Sequence, residues 1–145
     1  MTRLLIDTSV LIKWFHSDGE AELLQARALR SAHVTGEVDA HLLDLALYEV
    51  GNVLTRSLRW AGADVADQLD DLHAILGPPL VMTPVWLRRA ATLAGTHTLS
   101  FYDASWAAAA VELGIPLVSA DRRLLAAGLA ESPTAVAARL KLSPT

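Results

Sequence analysis

Short apolar runs alternate along this chain with longer stretches that repeat at helical spacing. Residues 3–6 (Arg-Leu-Leu-Ile) are the first short run, and residues 38–43, 80–82 and 116–119 are others, each brief enough to be a buried strand. Between them lie helical patterns: Val10 to Phe15, residues 18–33, and a long segment from Asp44 to about Trp60 with Leu45, Val50, Val53, Leu54 and Leu58 on its inner side. Residues 63–76 and 84–95 read the same way, the second opened by Pro84 at a first helical position. Ser100 starts a helix through Leu113-Gly114, a short helix follows Asp121 and stops at Gly128, and Ser132-Pro133 caps a terminal helix of about residues 134–141. Strands alternating with helices predict a central, mainly parallel sheet covered on both faces, a three-layer α/β/α sandwich. A chain of 145 residues supports one core and would leave two marginal, so residues 1–145 read as a single domain. In such sheets the ligand lies beyond the carboxyl ends of the strands.

Composition narrows the chemistry. With 52% hydrophobic and 19% charged residues the chain is too apolar to be disordered, and no apolar run approaches the ~20 residues that span a bilayer. The N-terminus lacks the hydrophobic segment and cleavage site of a secretory signal, so the expectation is a soluble, cytoplasmic protein without a membrane partner. The absence of cysteine removes disulfides, thiolate zinc sites and cysteine nucleophiles, and any metal must be held by oxygen or imidazole. A net charge of −4 weighs against a nucleic-acid ligand only at first sight. If four of the sixteen acids serve a metal, the other twelve balance the twelve bases.

Four acids stand out by position. Asp7 follows the first strand and Asp121 the last, so both fall on the sheet edge where a site would form, although each also suits a helix N-cap. Asp103 is three residues after Ser100, the spacing of a capping box, yet Phe101, Tyr102, Trp106 and the alanines 107–110 predict a helix buried nearly all round. Glu49 has Leu45 and Val53 as helical neighbours, which sets a carboxylate in the stripe expected to face the core. Such a group needs a cation, a donor or a proton, and the structural alternative is a salt bridge to an arginine. Asn52 and Arg56 share its side of the helix and are candidate supports. Clustered carboxylates repel one another unless a divalent cation sits between them, and magnesium or manganese favours such hard oxygen ligands. A cluster of this kind can hydrolyse a phosphodiester with a metal-activated water. On this reading Asp7 and Asp103 bind metal directly, Glu49 binds metal or positions the attacking water, and Asp121 acts through water; one ion or two remain open.

The motifs in order resemble those of PIN domains. Ile6-Asp7-Thr8-Ser9-Val10-Leu11-Ile12 resembles the opening motif, Leu47-Tyr48-Glu49-Val50-Gly51-Asn52-Val53-Leu54 the helical glutamate segment, and Ser100-Phe101-Tyr102-Asp103-Ala104 and Val118-Ser119-Ala120-Asp121-Arg122-Arg123-Leu124-Leu125 the last two acidic motifs. Length and coverage are similar to VapC toxins, bacterial PIN ribonucleases paired with a VapB antitoxin. The resemblance implies a magnesium- or manganese-dependent endoribonuclease acting on structured RNA such as transfer or ribosomal RNA. It also implies a homodimer, and inhibition by a VapB-like antitoxin. Ser9 and Ser119 match polar positions that flank the metal site in that family. Residues 132–142 read as helix where many members place a last strand.

Other residues carry less. The histidines lack ligand spacing, Asp64, Asp67, Asp70 and Asp71 form a solvated helix face, and the four tryptophans suit core packing first and a dimer surface second. Arg122 and Arg123 suit an RNA phosphate or a salt bridge equally. A haloacid-dehalogenase-like phosphatase would need a second Asp where Ser9 stands, and a receiver domain would need paired acids and a late lysine. A catalytically silent PIN-like binding module is the alternative from a different class.

Overall fold

The computed structural model describes residues 1–143. Three strands form a parallel sheet in the order β2-β1-β3: β1 (Thr2–Ile6), β2 (Val38–His41) and β3 (Leu117–Val118). Around it lie α1 (Thr8–Leu11), α2 (Leu23–Val34), α3 (Leu45–Asn52), α4 (Gly62–Leu76), α5 (Pro84–His97), α6 (Phe101–Leu113), α7 (Arg122–Ala126) and α8 (Pro133–Arg139). This is the α/β/α sandwich that the alternating pattern predicts. β1 is the central strand, and its Leu4, Leu5 and Ile6 are fully buried, which is why its polar residues, Thr2 and Arg3, are confined to its open start. Leu5 pairs with Leu117 and Ile6 with Val118, so the residues that follow, Asp7 and Ser119, leave the sheet side by side. Among the described residues no helix is long and apolar enough to cross a membrane.

The structure departs from the predicted elements at three places and keeps the predicted terminal helix. Residues 80–82 are not a strand but a single parallel bridge from Leu80 to Leu43, hemmed in by Pro78, Pro79 and Pro84. On the opposite edge Glu131 makes one bridge to Val118, and the chain then enters α8 as the Ser132-Pro133 cap requires; Ser132 Oγ accepts from Ala135 N–H at 3.1 Å. The helix expected over 18–33 starts only at Leu23. The buried Lys13 ammonium demands acceptors, and residues 17–22 wrap around it, giving Glu20 Oε1 at 2.9 Å and the Ala21 carbonyl at 2.8 Å. Finally, the helix expected to run to Trp60 keeps α-helical bonding only to Asn52, continues as a π-helical turn at Val53–Ser57, and ends where Arg59 takes φ +56°.

Helix α6 is apolar on every side, and Ala104 to Ala110 are seven consecutive buried positions. The expectation of burial nearly all round holds for this stretch but fails at the start, where Phe101 and Tyr102 are exposed. Alanines let neighbouring elements approach closely and leave no room for growth. Ala108→Leu is therefore expected to destabilise the fold by ~1–3 kcal/mol through overpacking, read as a lower urea midpoint; an unchanged midpoint would contradict the packing described.

Candidate functional site

Asp7 extends past the buried end of β1 and is itself only 4% exposed. It occupies the N-cap position of α1, yet its side chain accepts no capping hydrogen bond. Instead Ser9 Oγ donates to Asp7 Oδ1 at 2.5 Å. Burial pushes the Asp7 carboxyl up to about 6, against the hydroxyls of Ser119 and Ser9, which favour its charged form; the nearby Glu49 raises it further.

The two serines join the sheet edge. Ser9 Oγ also accepts from Ala120 N–H at 2.9 Å and lies 3.5 Å from Ser119 Oγ, which in turn accepts from Asp121 N–H at 2.9 Å. Asp121 does act as a cap: its Oδ1 accepts from Arg123 N–H at 2.9 Å and Leu124 N–H at 3.1 Å. Its other oxygen has no protein donor among the described residues. Asp103 sits in the first turn of α6, where Ser100 Oγ accepts from its N–H at 3.1 Å. Its carboxyl is raised above the usual range, first by burial and then by Asp121, while Ser100 and Arg123 pull it down. Asp103 and Asp121 are thus close enough to repel.

Glu49 is half-buried, less enclosed than the apolar-stripe reading predicts, because Leu45 and Val53 are themselves only partly covered. Its partner is no arginine. Glu49 Oε1 accepts from Thr8 Oγ1 at 2.8 Å and from Trp106 Nε1 at 3.1 Å. Neither donor was singled out from the sequence for this role. Trp106 follows Asp103 by three residues and so shares its side of α6, a usable sign, whereas Thr8 gives none beyond its place next to Asp7. Asn52, expected as a support, is exposed and makes no hydrogen bond to the acids among the described residues, and Arg56 is exposed as well.

The four acids therefore form two repelling pairs, Asp7 with Glu49 and Asp103 with Asp121, linked through Ser9 and Ser119. Among the described residues none of them enters a salt bridge. No three acidic or histidine side chains among those residues converge as a ready coordination shell. Glu49, Asp103 and Asp121 are each only partly buried, and like charges at this spacing repel. The donor set, all hard oxygen around one buried carboxylate, fits a magnesium-like ion. His33, by contrast, is structural: its Nδ1 accepts from Ala40 N–H at 3.1 Å.

The model of the PIN domain family matches residues 4–129. The chain belongs to the PIN-domain family. It is 36% identical over 85 residues to Exonuclease VapC9 of Pyrobaculum aerophilum, covering 59% of this chain and 64% of that relative, under two thirds of its length. The crystal structure of PAE2754 from Pyrobaculum aerophilum superposes with a TM-score of 0.67 at 28% identity and covers 97% of both chains. The acids fall within the matched PIN span.

The Asp7 carboxyl, raised from 3.8 to about 6, makes the metal-free PIN domain sensitive to pH. The native state holds this proton where the unfolded chain has lost it, so stability falls as pH rises from about 4 to about 6. The change corresponds to on the order of 3 kcal/mol. Urea unfolding in chelator from pH 4 to 7.5 should show this fall in wild type relative to Asp7→Asn. A flat difference between the two proteins would refute the cause given for the shift.

Proposed function

We propose that this chain, as one PIN domain over residues 1–145, is a magnesium-dependent endoribonuclease and the toxin of a toxin–antitoxin pair. The observation that carries the proposal is the set of four carboxylates near one sheet edge, of which Asp7 accepts from a serine hydroxyl, Glu49 from threonine and tryptophan and Asp121 from backbone N–H groups, with none of the four in a salt bridge among the described residues. The likeness to Exonuclease VapC9 supports nuclease chemistry and a VapB-like antitoxin as partner. Cytoplasmic RNA, transfer or ribosomal, is the proposed substrate, and a homodimer the proposed assembly. Manganese is the alternative ion.

Asp7 and Asp103 would hold the ion, with Glu49 and Asp121 each contributing the oxygen that their donors leave free. Bound there, a divalent cation lowers the pKa of a water and neutralises charge on the phosphate. Thr8 and Trp106 hold the Glu49 carboxylate in orientation without neutralising it, so it can ligate or take a proton from the attacking water. Ser9 and Ser119 keep Asp7 and Asp121 at fixed spacing.

The test uses purified protein freed of antitoxin, with total RNA and a circular RNA that only an endonuclease can open. Cleavage should need magnesium or manganese, stop in excess chelator, and fall more than ~100-fold in Asp7→Asn and Asp103→Asn, beyond the ~10–100-fold typical of losing an outer contact. RNA bound but left intact under every metal condition would favour the silent binding module. Linear RNA shortened while the circle survives would favour an exonuclease, as the relative's name states.

Trp106→Phe keeps a ring and deletes the donor to Glu49. The expected cost is ~10-fold in rate, with a higher magnesium concentration for half-maximal rate. A variant altered only in urea midpoint would show that Trp106 packs and does not position.

A further inference from the structure

Beside the acids lies an open hollow of about 550 Å³ lined by His97 and Thr98 at the end of α5 and by Arg123, Ala126 and Ala127 along α7. Its walls are the segments just before Ser100 and just after Asp121, the same two that carry Asp103 and its neighbour. No carboxylate lines it. Arg123 donates only its backbone N–H, to Asp121, and its guanidinium has no hydrogen bond or salt bridge among the described residues. The guanidinium is also near enough to Asp103 to favour that carboxylate's charged form. Thr98 takes a left-handed backbone, φ 53°, where glycine is the usual residue, and so keeps a hydroxyl in the lining. Ala126 and Ala127 are small and leave the floor clear.

We propose that this hollow binds a backbone phosphate of the RNA strand one or two linkages from the cleaved bond, with Arg123 as the charged contact and His97 and Thr98 as further donors. The inference deepens the nuclease reading and rests on it. The acidic centre can accept a phosphate only through a cation, and a polyanion crossing it gains from a positive neighbour that needs no metal. A planar guanidinium offers paired donors that match phosphate oxygens. The hollow is wide enough for a sugar-phosphate unit, and among the described residues its apolar lining side chains are those of Ala126 and Ala127, too small to anchor a base or a bulky peptide side chain. Arg122, equally exposed on the same helix, does not line it.

The experiment measures binding of short single-stranded RNA to the full chain carrying Asp7→Asn, in magnesium, by fluorescence anisotropy across salt concentrations. The probes are one oligonucleotide and a series in which a single neutral methylphosphonate replaces each linkage in turn. Arg123→Gln should weaken binding about 10-fold and reduce the slope of log K against log salt by about 0.7. One position of the neutral linkage should erase that difference. Arg122→Gln, with the same change in net charge, should cost less and show no such position. Equal loss on every probe, equal loss in Arg122→Gln, or no loss overturns the proposal. Cleavage by the wild type is scored separately. A position-specific Arg123 effect without cleavage leaves the phosphate site standing and sinks the nuclease reading, while cleavage without that effect does the reverse.

Discussion

Asp7 holds a carboxylate at the end of a strand whose preceding three residues are fully buried. Water cannot solvate it there, so protein groups must, and the groups that do so come from both neighbouring connections. Ser9 lies in the first turn of α1 and Ser119 follows β3, and the register of Ile6 with Val118 is what brings them to the same carboxylate. Ser9 also receives the Ala120 N–H, so one hydroxyl fixes two crossings of the sheet edge. The acid's burial and the alignment of β1 with β3, a pairing between distant parts of the chain, are thus one constraint seen twice. A shift of register by one residue would turn Asp7 away from Ser119 and leave a buried charge with half its donors.

Neutral donors matter as much as the acids. An arginine beside Glu49 would have oriented the carboxylate and also cancelled its charge, lowering the demand for a metal. Thr8 and Trp106 orient without cancelling. The same is true of Ser9 at Asp7 and of the backbone N–H groups at Asp121. The site keeps its negative potential because every strong contact to it is a dipole. Lys13, the buried cation nearest in sequence to Asp7, is drawn off by Glu20 and the Ala21 carbonyl. Its diversion costs a stretch of helix and keeps a positive charge from the acids.

The order of strands and helices was legible because apolar runs and helical repeats report local burial, and the position of Asp7 and Asp121 follows once the strands before them are recognised. Chemistry that depends on partners far along the chain was not. Trp106 reads as core, and it is core, but its indole N–H meets Glu49 fifty-seven residues away, which no local pattern encodes. The loop at 17–22 was misread as helix for the same reason: the ammonium it wraps belongs to a different segment. At 80–82 the apolar run was real, yet prolines on both sides allow only Leu80 to pair. Glu49 was expected deeper than it lies because a helical stripe gives direction and says nothing of how completely the neighbours close over it.

Asp121 shows why a structural role and a chemical one need not compete. Its Oδ1 caps α7, a contact worth ~1 kcal/mol in ordinary helices, and α7 has only five residues, so the cap largely decides where that helix begins. The N–H groups it receives are those of Arg123 and Leu124. Leu124 is fully buried and anchors the helix, which leaves Arg123 on the outer side at a distance from Asp121 set by the cap itself. The negative centre and its positive neighbour are thereby held at a constant spacing by one carboxylate. The helix-cap reading and the proposed site role, set against each other in the sequence, are compatible because the cap uses one of the side chain's two oxygens.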